Sequence, residues 1–310
     1  MKLRQLQLLL AVARNEMNIS AAAAALNTSQ PSVSRQIIQL EEEIGVPLFT
    51  RRKNRIAGLT PAGEAAFESA RQVENQITNI DLIAREARNP HQGSFSIVTT
   101  HLHARYTMLK PMLAFRRNYP DVQVSLMQAD GDSIQDIVRN GDADIGMGVI
   151  GPEDKEVPGL IILRGKLLRR VAIFPKDHPL ASKRDITLAE ICTYDLIGFT
   201  KDSRTHHVVN QSLHDLGLNP NISVRVNDSD VVKSYVSIGL GVGIVPEITI
   251  SANDEVVTYD ITEQMPSRYI SVILRDDMYL RESMIALLSS IHPHWNGDSL
   301  RQKMRTKQMS

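Results

Sequence analysis

A short break between two helical patterns constrains the N-terminal part of this chain most strongly. Asn18 is a good N-cap for residues 19–26, where a run of alanines favours helix and permits close approach by a neighbour. After the break at Asn27 and Thr28, apolar residues recur at steps of four, three and four, as on one face of a helix: Val33, Ile37, Leu40 and Ile44. A small-residue helix, a tight turn and an amphipathic helix predict a helix-turn-helix.

The polar faces of the second helix suit contact with DNA. They carry hydroxyls, amides and one charge, which can reach base edges and phosphates when a helix N-terminus enters a major groove. An ordinary amphipathic surface helix would show the same pattern, so the neighbouring segments decide between the two interpretations. The candidate DNA-contacting residues, which include a potential N-cap and a proline suited to a first turn, are Ser29, Gln30, Pro31, Ser32, Ser34, Arg35 and Gln36.

A basic hairpin tip follows this helix. Residues 45–49 end the helix and start a hairpin that returns along residues 56–59, and its tip carries Arg51, Arg52, Lys53 and Arg55. Such a run is often only a solvated loop, but beside a recognition helix it predicts a wing on the phosphate backbone. Residues 1–60 hold eight basic and four acidic residues in a chain of zero formal net charge. This distribution is expected of a DNA-binding head on a neutral body.

A long helix is predicted after the hairpin, from Thr60 to about Arg88. Thr60, Pro61 and Glu64 indicate an N-cap, a first helical residue and the acid of a capping box. Apolar residues then alternate at steps of four and three: Ala66, Ala70, Val73, Ile77, Ile80, Ala84 and Ala87. A heptad seam of this kind needs a partner helix, so it favours a homodimer over a single helix packed on its own domain. The predicted domains are therefore a winged helix-turn-helix at 1–60 and a linker helix at 61–90.

The rest of the chain predicts an α/β fold. After a break at residues 89–93, strands and helices alternate to about residue 291, which indicates largely parallel sheets. The predicted strands span residues 95–100, 122–128, 144–149, 167–174, 195–199, 222–226, 243–246 and 267–274. The polar tail from Trp295 is expected to be mobile.

Several classes of protein are disfavoured by the sequence. Cys192 is the single cysteine, which excludes an intramolecular disulfide and fits a reducing cytoplasm, and no apolar run approaches membrane-spanning length. The glycine string at 239–243 follows a helix and precedes a strand, the reverse of a dinucleotide fingerprint. No metal motif or nucleophile–base pair is apparent, because no cysteine or paired carboxylate completes a ligand set with the histidines at 101, 103, 206 and 207. We therefore expect no enzyme, no cofactor, no metal and no membrane partner.

Several short stretches together resemble the LysR-type transcriptional regulators over about residues 2–293. They are Ala24-Ala25-Leu26, Ser29-Gln30-Pro31-Ser32-Val33-Ser34, Leu40-Glu41, Gly45-Val46-Pro47-Leu48-Phe49 with Arg51, and Leu59-Thr60-Pro61-Ala62-Gly63. The resemblance implies a dimerising linker helix and a two-lobed effector domain at 91–310, like a periplasmic binding protein. The first lobe is expected at about 91–164 and 267–293, and the second, an insertion, at about 165–266. Promoter DNA, a second copy of the chain, a homotetramer and RNA polymerase are the implied partners.

A narrower likeness is to the CysB branch of that family, which governs sulfur assimilation. It is carried by Thr99-Thr100-His101, Ala104-Arg105-Tyr106, Tyr119-Pro120, Pro175-Lys176-Asp177-His178-Pro179-Leu180, Asp230-Val231-Val232-Lys233-Ser234-Tyr235 and Gly239-Leu240-Gly241-Val242-Gly243-Ile244-Val245. The likeness implies an effector such as sulfate, sulfite, thiosulfate or acetylated serine between the lobes. Leu102, His103 and Val149 depart from the branch, which commonly has a hydroxyl, an amide and a threonine there. An organic carboxylate from an unrelated pathway therefore stays an alternative, as does a small-anion binding protein without DNA.

The fold argument also locates a pocket. In open α/β sheets, ligands lie beyond the carboxyl ends of strands, where helix N-termini favour an anion. Hydroxyls at such strand ends can instead be ordinary caps, and a histidine there can be a pH-sensitive donor to an anion. The fold argument and the positions implied by the likeness to the CysB branch together give the candidate effector-binding residues, which are Thr99, Thr100, Leu102, His103, Gln128, Val149, Thr200 and Asp202.

Overall fold

The computed structural model of the chain describes residues 1–53, 55–151, 157–200 and 204–308. The chain divides into two compact units, one comprising residues 1–85 with 277–279 and the other residues 86–276 with 280–310. No helix in the described ranges combines the length and the apolar character that crossing a membrane requires.

The first unit is a small helical core with a two-stranded hairpin and a long helix. Its elements are α1 (Leu3–Arg14), α2 (Ile19–Ala25), α3 (Gln30–Ile44), β1 (Phe49–Arg52), β2 (Arg55–Leu59) and α4 (Pro61–Arg88). The Asn18 side chain caps α2 by accepting from the backbone N–H groups of Ser20 and Ala21, and the Ser29 side chain caps α3 by accepting from Ser32. Both predicted caps are confirmed.

Helix α3 buries most of its predicted apolar stripe. Val33, Ile37 and Leu40 are at most 1% exposed and pack in one cluster with α1, α2 and the start of the hairpin. Ile44 is 42% exposed, so the prediction that it joins the stripe is wrong. It is the last residue of the helix, and the chain turns away immediately afterwards at Gly45, whose backbone is left-handed (φ 84°).

Thr60 joins α4 to the hairpin. Its hydroxyl oxygen accepts from the backbone N–H of Gly63 at 2.9 Å and donates to the carbonyl oxygen of Pro47 at 2.8 Å. The predicted capping box through Glu64 is wrong, because the reciprocal bond needs an acid at the third helical position and Gly63 occupies it. A Cβ atom on Gly63 would lie 1.9 Å from the Leu48 carbonyl oxygen, so the close approach of helix and hairpin requires glycine.

The apolar seam of α4 changes character along the helix. Ala70, near its start, is 2% exposed and belongs to the core of the first unit. Val73, Ile77 and Ile80 are 41%, 40% and 67% exposed. The larger apolar residues of the seam are therefore open to solvent in the single chain.

The second unit contains two five-stranded sheets. Its strands are β3 (Gly93–Thr99), β4 (Val122–Gln128), β5 (Ile145–Ile150), β6 (Leu160–Leu167), β7 (Arg170–Pro175), β8 (Leu196–Phe199), β9 (Ile222–Val226), β10 (Val242–Pro246), β11 (Val256–Asp260) and β12 (Tyr269–Arg275). Its helices are α5 (Leu109–Asn118), α6 (Ile134–Asn140), α7 (Leu188–Ile191), α8 (Arg204–Asp215), α9 (Ser229–Ser237), α10 (Glu282–Ile291) and α11 (Gly297–Gln308), with a π-helical turn at His103–Thr107.

Each sheet forms the centre of one lobe. The first has the order β4-β3-β5-β12-β6 and the second β11-β7-β10-β8-β9. Strand β3 runs parallel to β4 and β5, and β8 runs parallel to β9 and β10, whereas β12, β6, β7 and β11 pair antiparallel. The predicted α/β class is confirmed, with a larger antiparallel share than the sequence indicated.

Two short connections join the lobes. The chain leaves the first sheet after Leu167, which still pairs with Tyr269, so the crossover lies slightly later than the predicted residue 165. The connections lie side by side, because the backbone N–H of Leu168 donates to the carbonyl oxygen of Arg268 at 2.7 Å. The second lobe is thus an insertion held between two adjacent segments.

Four features differ from the sequence predictions. Strands β6 and β11 were not predicted, and the predicted strand at 167–174 is divided between the end of β6 and β7. The predicted mobile tail is wrong, because residues 297–308 form helix α11. Trp295, Leu300 and Met304 are 2%, 1% and 7% exposed. Leu300 and Met304 lie four residues apart, so both are on the same buried face of α11.

Candidate functional site

The candidate DNA-contacting residues lie together at the start of α3. Pro31 and Arg35 are exposed and Gln36 is partly exposed, and its side-chain amide donates to the Ser32 hydroxyl at 3.1 Å. Gln30 accepts from the Ser20 hydroxyl of α2 at 3.3 Å, which ties the two helices together at this end. All seven predicted residues fall on the helix or its cap and are exposed or partly exposed: Ser29, Gln30, Pro31, Ser32, Ser34, Arg35 and Gln36.

The wing carries four exposed cations, and one of them has a structural partner. Arg51 Nη2 lies 2.7 Å from Glu41 Oε2, while Glu41 Oε1 accepts from the backbone N–H groups of Leu48 and Phe49. This carboxylate therefore fastens the hairpin to the end of α3. Arg52, Lys53 and Arg55 are exposed around the tip, where Lys53 has a left-handed backbone (φ 48°).

A cavity of about 190 Å³ lies between the two lobes of the second unit. From the first lobe it is lined by residues of the segments after β3 and β4 and by one residue near the end of β5, among them Thr100, His101, Leu102, Tyr106, Asp130 and Val149. From the second lobe it is lined by residues that include Arg170, Phe199, Asn227, Asp228, Asp230 and Pro246. The cavity, called the cleft below, has one wall from each sheet.

The structure brings three of the predicted effector residues into this lining: Thr100, Leu102 and Val149. The other described ones lie outside it. Thr99 is buried and its hydroxyl donates to the Met147 carbonyl oxygen at 2.9 Å, which is a contact within the sheet. The Thr200 hydroxyl donates to the Asn227 side chain at 3.1 Å, and Gln128 is exposed at the end of β4. Asp202 lies outside the described residues.

His103 is a buried imidazole and does not line the cleft. It is 0% exposed inside the π-helical turn, with Nδ1 3.0 Å from the Thr107 hydroxyl. Its Nε2 is buried and has no hydrogen-bond partner among the described residues. Burial lowers the pKa of His103 to about 4, so the ring is neutral at neutral pH. His103 is therefore not positioned to act as the predicted pH-sensitive donor to the ligand.

Arg170, which the sequence analysis missed, lines the cleft. It begins β7, is 4% exposed, and its backbone N–H donates to the Thr262 hydroxyl at 3.0 Å. Its Nε and Nη1 atoms are buried without a hydrogen-bond partner among the described residues. Burial, with the nearby positive charge of Arg268, lowers the pKa of Arg170 to about 10, which leaves it protonated at neutral pH. A buried cation with unsatisfied donors is costly, and an anion in the cleft would relieve that cost.

Asp230 connects the lobes beside the cleft. It accepts a hydrogen bond from the Tyr106 hydroxyl of the first lobe, and its Oδ2 lies 3.4 Å from Arg105 Nε. Within its own lobe, its Oδ1 lies 3.3 Å from Lys233 Nζ. Burial acts to raise the pKa of Asp230, but the hydrogen bonds from Tyr106 and Lys233 outweigh it, and the pKa is lowered. The carboxylate is therefore charged and shared between the two lobes.

No metal centre is present in the described part of the chain, since no three histidine, cysteine, aspartate or glutamate side chains there could hold an ion. The side chains of His206 and His207, which the sequence analysis weighed for such a role, lie outside the described part.

Comparison with known proteins accounts for both units. Residues 3–64 match the bacterial regulatory helix-turn-helix protein model of the lysR family, and residues 88–296 match the LysR substrate binding domain. The chain is 35% identical over 247 residues to the HTH-type transcriptional regulator cbl of Klebsiella aerogenes, covering 80% of this chain and 78% of that protein. It is 29% identical over 308 residues to the HTH-type transcriptional regulator CysB of Burkholderia cenocepacia, covering 98% and 97%.

A solved structure supports the fold. A full-length OxyR variant from Pseudomonas aeruginosa superposes with a TM-score of 0.71 at 20% identity, covering 94% of each chain. The resemblance drawn from the short sequence stretches is confirmed by these matches. The chain belongs to the LysR family of bacterial helix-turn-helix regulators.

Proposed function

We propose that this regulator binds promoter DNA through its first unit and a small anion of sulfur metabolism in the cleft of its second unit. Arg170 carries the second part of the proposal, because it places a buried cation with unsatisfied donors in the cleft lining. The likeness to CysB and cbl supports the sulfur-related choice, with sulfate, sulfite, thiosulfate and acetylated serine as the candidates.

On the DNA, the start of α3 would lie in the major groove and the wing on phosphates. Ser32 and Gln36 would contact bases, and the exposed cations Arg52, Lys53 and Arg55 would contact phosphates without sequence preference. Two half-sites require two heads, and the exposed seam at Val73, Ile77 and Ile80 supports a homodimer through α4. A tetramer, RNA polymerase as a partner and a cytoplasmic location belong to the same proposal.

The anion would act by changing how far the lobes close. A ligand shifts such an equilibrium only if it binds the two arrangements with different affinity. The Tyr106–Asp230 hydrogen bond supports this view, since it joins the lobes beside the cleft and would break if they moved apart.

The test is thermal unfolding of the full-length protein with increasing concentrations of sulfate, sulfite, thiosulfate, acetylated serine and unrelated carboxylates. A ligand that binds the folded state raises Tm as its concentration rises. We expect selective stabilisation by a sulfur compound in the wild-type protein and its loss in Arg170→Gln.

Arg169→Gln is the matched control. Arg169 precedes Arg170 in the chain but is 51% exposed and pairs with Glu247 and Asp260. Its replacement should leave the ligand response unchanged. Stabilisation by carboxylates alone would assign the regulator to another pathway. If no anion stabilises the protein, or if Arg170→Gln responds like the wild type, the anion-binding proposal fails.

A further inference from the structure

We propose that the ligand of the cleft is an organic monoanion, with one acidic head on a short apolar body, and not a bare inorganic oxyanion. This inference rests on the proposed function, because it concerns the ligand of the same cleft. Alkylsulfonates and alkylcarboxylates share this chemistry.

The first reason is the composition of the walls. Leu102 and Val149 line the cleft from the first lobe, Leu168 lies in the connection between the lobes, and Phe199, Val208 and Pro246 line it from the second lobe. The oxygens of a sulfate ion need donors on every side, and a wall of carbon leaves them unsatisfied at substantial cost. Burial of an apolar body against these side chains instead makes the free energy of binding more favourable.

The second reason is the size of the cavity. It measures about 190 Å³. A single water molecule needs only about 10–15 Å³ of such space. A five-atom oxyanion at Arg170 would leave most of the cleft to be filled by water. Water makes no favourable hydrogen bonds with apolar side chains, so an apolar body would fill that space better.

The third reason is the balance of charge. Among the described residues that line the cleft, Arg170 is the only lysine or arginine, whereas Asp130, Asp228 and Asp230 also line it. Asp228 accepts from the backbone N–H groups of Asp230 and Val231 as the cap of α9, and Asp230 accepts from Tyr106. Asp230 is also paired with Arg105 and Lys233, so the described lining offers a ligand one cation, Arg170, beside Asp130 and Asp228. This balance favours a single negative charge placed near Arg170 and opposes a dianion.

The experiment is calorimetric titration of the full-length protein with two matched series and with sulfate. The first series runs from methanesulfonate to butanesulfonate, and the second from acetate to pentanoate. We expect affinity to rise about threefold to fourfold for each added methylene, as burial at about 0.8 kcal/mol per methylene requires. Sulfate should bind more weakly than butanesulfonate. The better of the two series identifies the acidic head.

The variant Val149→Thr sharpens the test, because threonine has nearly the shape of valine but places a hydroxyl in the wall. This variant should bind butanesulfonate several-fold more weakly than the wild type, and the difference in affinity between butanesulfonate and sulfate should become smaller. Val124→Thr is the control, since Val124 is a partly buried valine of β4, in the same lobe, outside the lining.

The possible failures can be told apart. Equal affinity for every chain length, with sulfate as tight as butanesulfonate, would overturn the organic-anion inference and leave anion binding intact. A chain-length effect that Val149→Thr leaves unchanged would also overturn it, because the body would then contact another surface. Absence of binding by every anion in the panel would refute the proposed function itself.

Discussion

The Tyr106 hydroxyl of the first lobe donates a hydrogen bond to the Asp230 carboxylate of the second lobe. The partners come from segments of quite different kinds, a π-helical turn after β3 and the first turn of α9. Both residues also line the cleft. The contact therefore links lobe closure with the space that a ligand would occupy.

Tyr106→Phe should weaken ligand binding about fivefold. The substitution removes one hydrogen bond to a charged partner, worth about 1 kcal/mol or more, and lowers the population of the closed arrangement. Calorimetric titration with the best ligand of the anion panel measures the change. Tyr119→Phe serves as the control, because Tyr119 stacks on Phe115 within the first lobe. Equal affinity of Tyr106→Phe and the wild type would show that this bond does not favour the binding arrangement.

Arg52→Ala should weaken binding to a specific promoter fragment and to random DNA by the same factor. Arg52 is exposed on the wing, where it would contact phosphate and carry no sequence information. Fluorescence anisotropy at several salt concentrations should also show the log–log salt slope reduced by about one unit. An effect confined to the specific fragment would contradict the assignment of the wing to phosphates.

Ile80→Glu should convert the protein to a smaller species. Ile80 is 67% exposed in the single chain and lies on the apolar seam of α4, so a charge there would be buried between two helices in a dimer. Light scattering after size exclusion measures the mass. Ile238→Glu is the control, because Ile238 is 70% exposed and lies just after α9, away from the seam. An unchanged mass for Ile80→Glu would exclude a dimer through this seam.

Gly63→Ala should destabilise the first unit by about 3 kcal/mol or more. The added Cβ would lie 1.9 Å from the backbone oxygen of Leu48, so the helix and the hairpin would have to separate. Urea unfolding followed by circular dichroism measures the loss. Gly297→Ala should change little, because its Cβ would make only ordinary contacts, the nearest at 3.5 Å. A wild-type midpoint for Gly63→Ala would contradict the close approach.

His103 should make the second unit sensitive to acid. Its pKa is lowered to about 4 in the folded protein, against about 6.5 when unfolded, so between these values the unfolded chain binds the extra proton. Stability therefore falls as pH decreases from 6.5 towards 4 and is unaffected by this group above 6.5, with a total of about 3 kcal/mol. His103→Asn should show a smaller loss over that range in urea unfolding at pH 7, 5.5 and 4.5.

Local sequence signals predicted the first unit well. The caps at Asn18 and Ser29 and the apolar steps of α3 depend on residues only a few positions apart, so they can be recognised without knowledge of the fold. The prediction that Ile44 is buried with the stripe was wrong, because the end of a helix can extend past the core that the stripe faces. The prediction of a capping box through Glu64 was wrong, because the acid of a capping box must stand at the third helical position, which is one residue earlier.

The cleft was less predictable because its parts come together only in the tertiary structure. Thr100 could be placed at a strand end by the general rule for α/β sheets. Val149 was identified only through the likeness to the CysB branch. Arg170 gave no such signal, since an arginine at the start of a strand is usually exposed and its burial follows from the return of the chain at residues 261–268. Burial of His103 likewise depends on the π-helical turn. The Leu300 and Met304 spacing could have revealed α11, but the surrounding charges suggested a solvated tail.

The two adjacent connections between the lobes, joined at Leu168 and Arg268, have a consequence for pharmacology. Rotation about such a pair displaces atoms in proportion to their distance from it, and Arg170 follows Leu168 by only two residues. An acidic head held by Arg170 would thus keep its contacts in the open and the closed arrangement and contribute affinity without switching. The energy that separates the two arrangements would come from the body of the ligand and from contacts such as Tyr106 to Asp230. Small anions that have the head but not the body should therefore occupy the cleft as competitive antagonists.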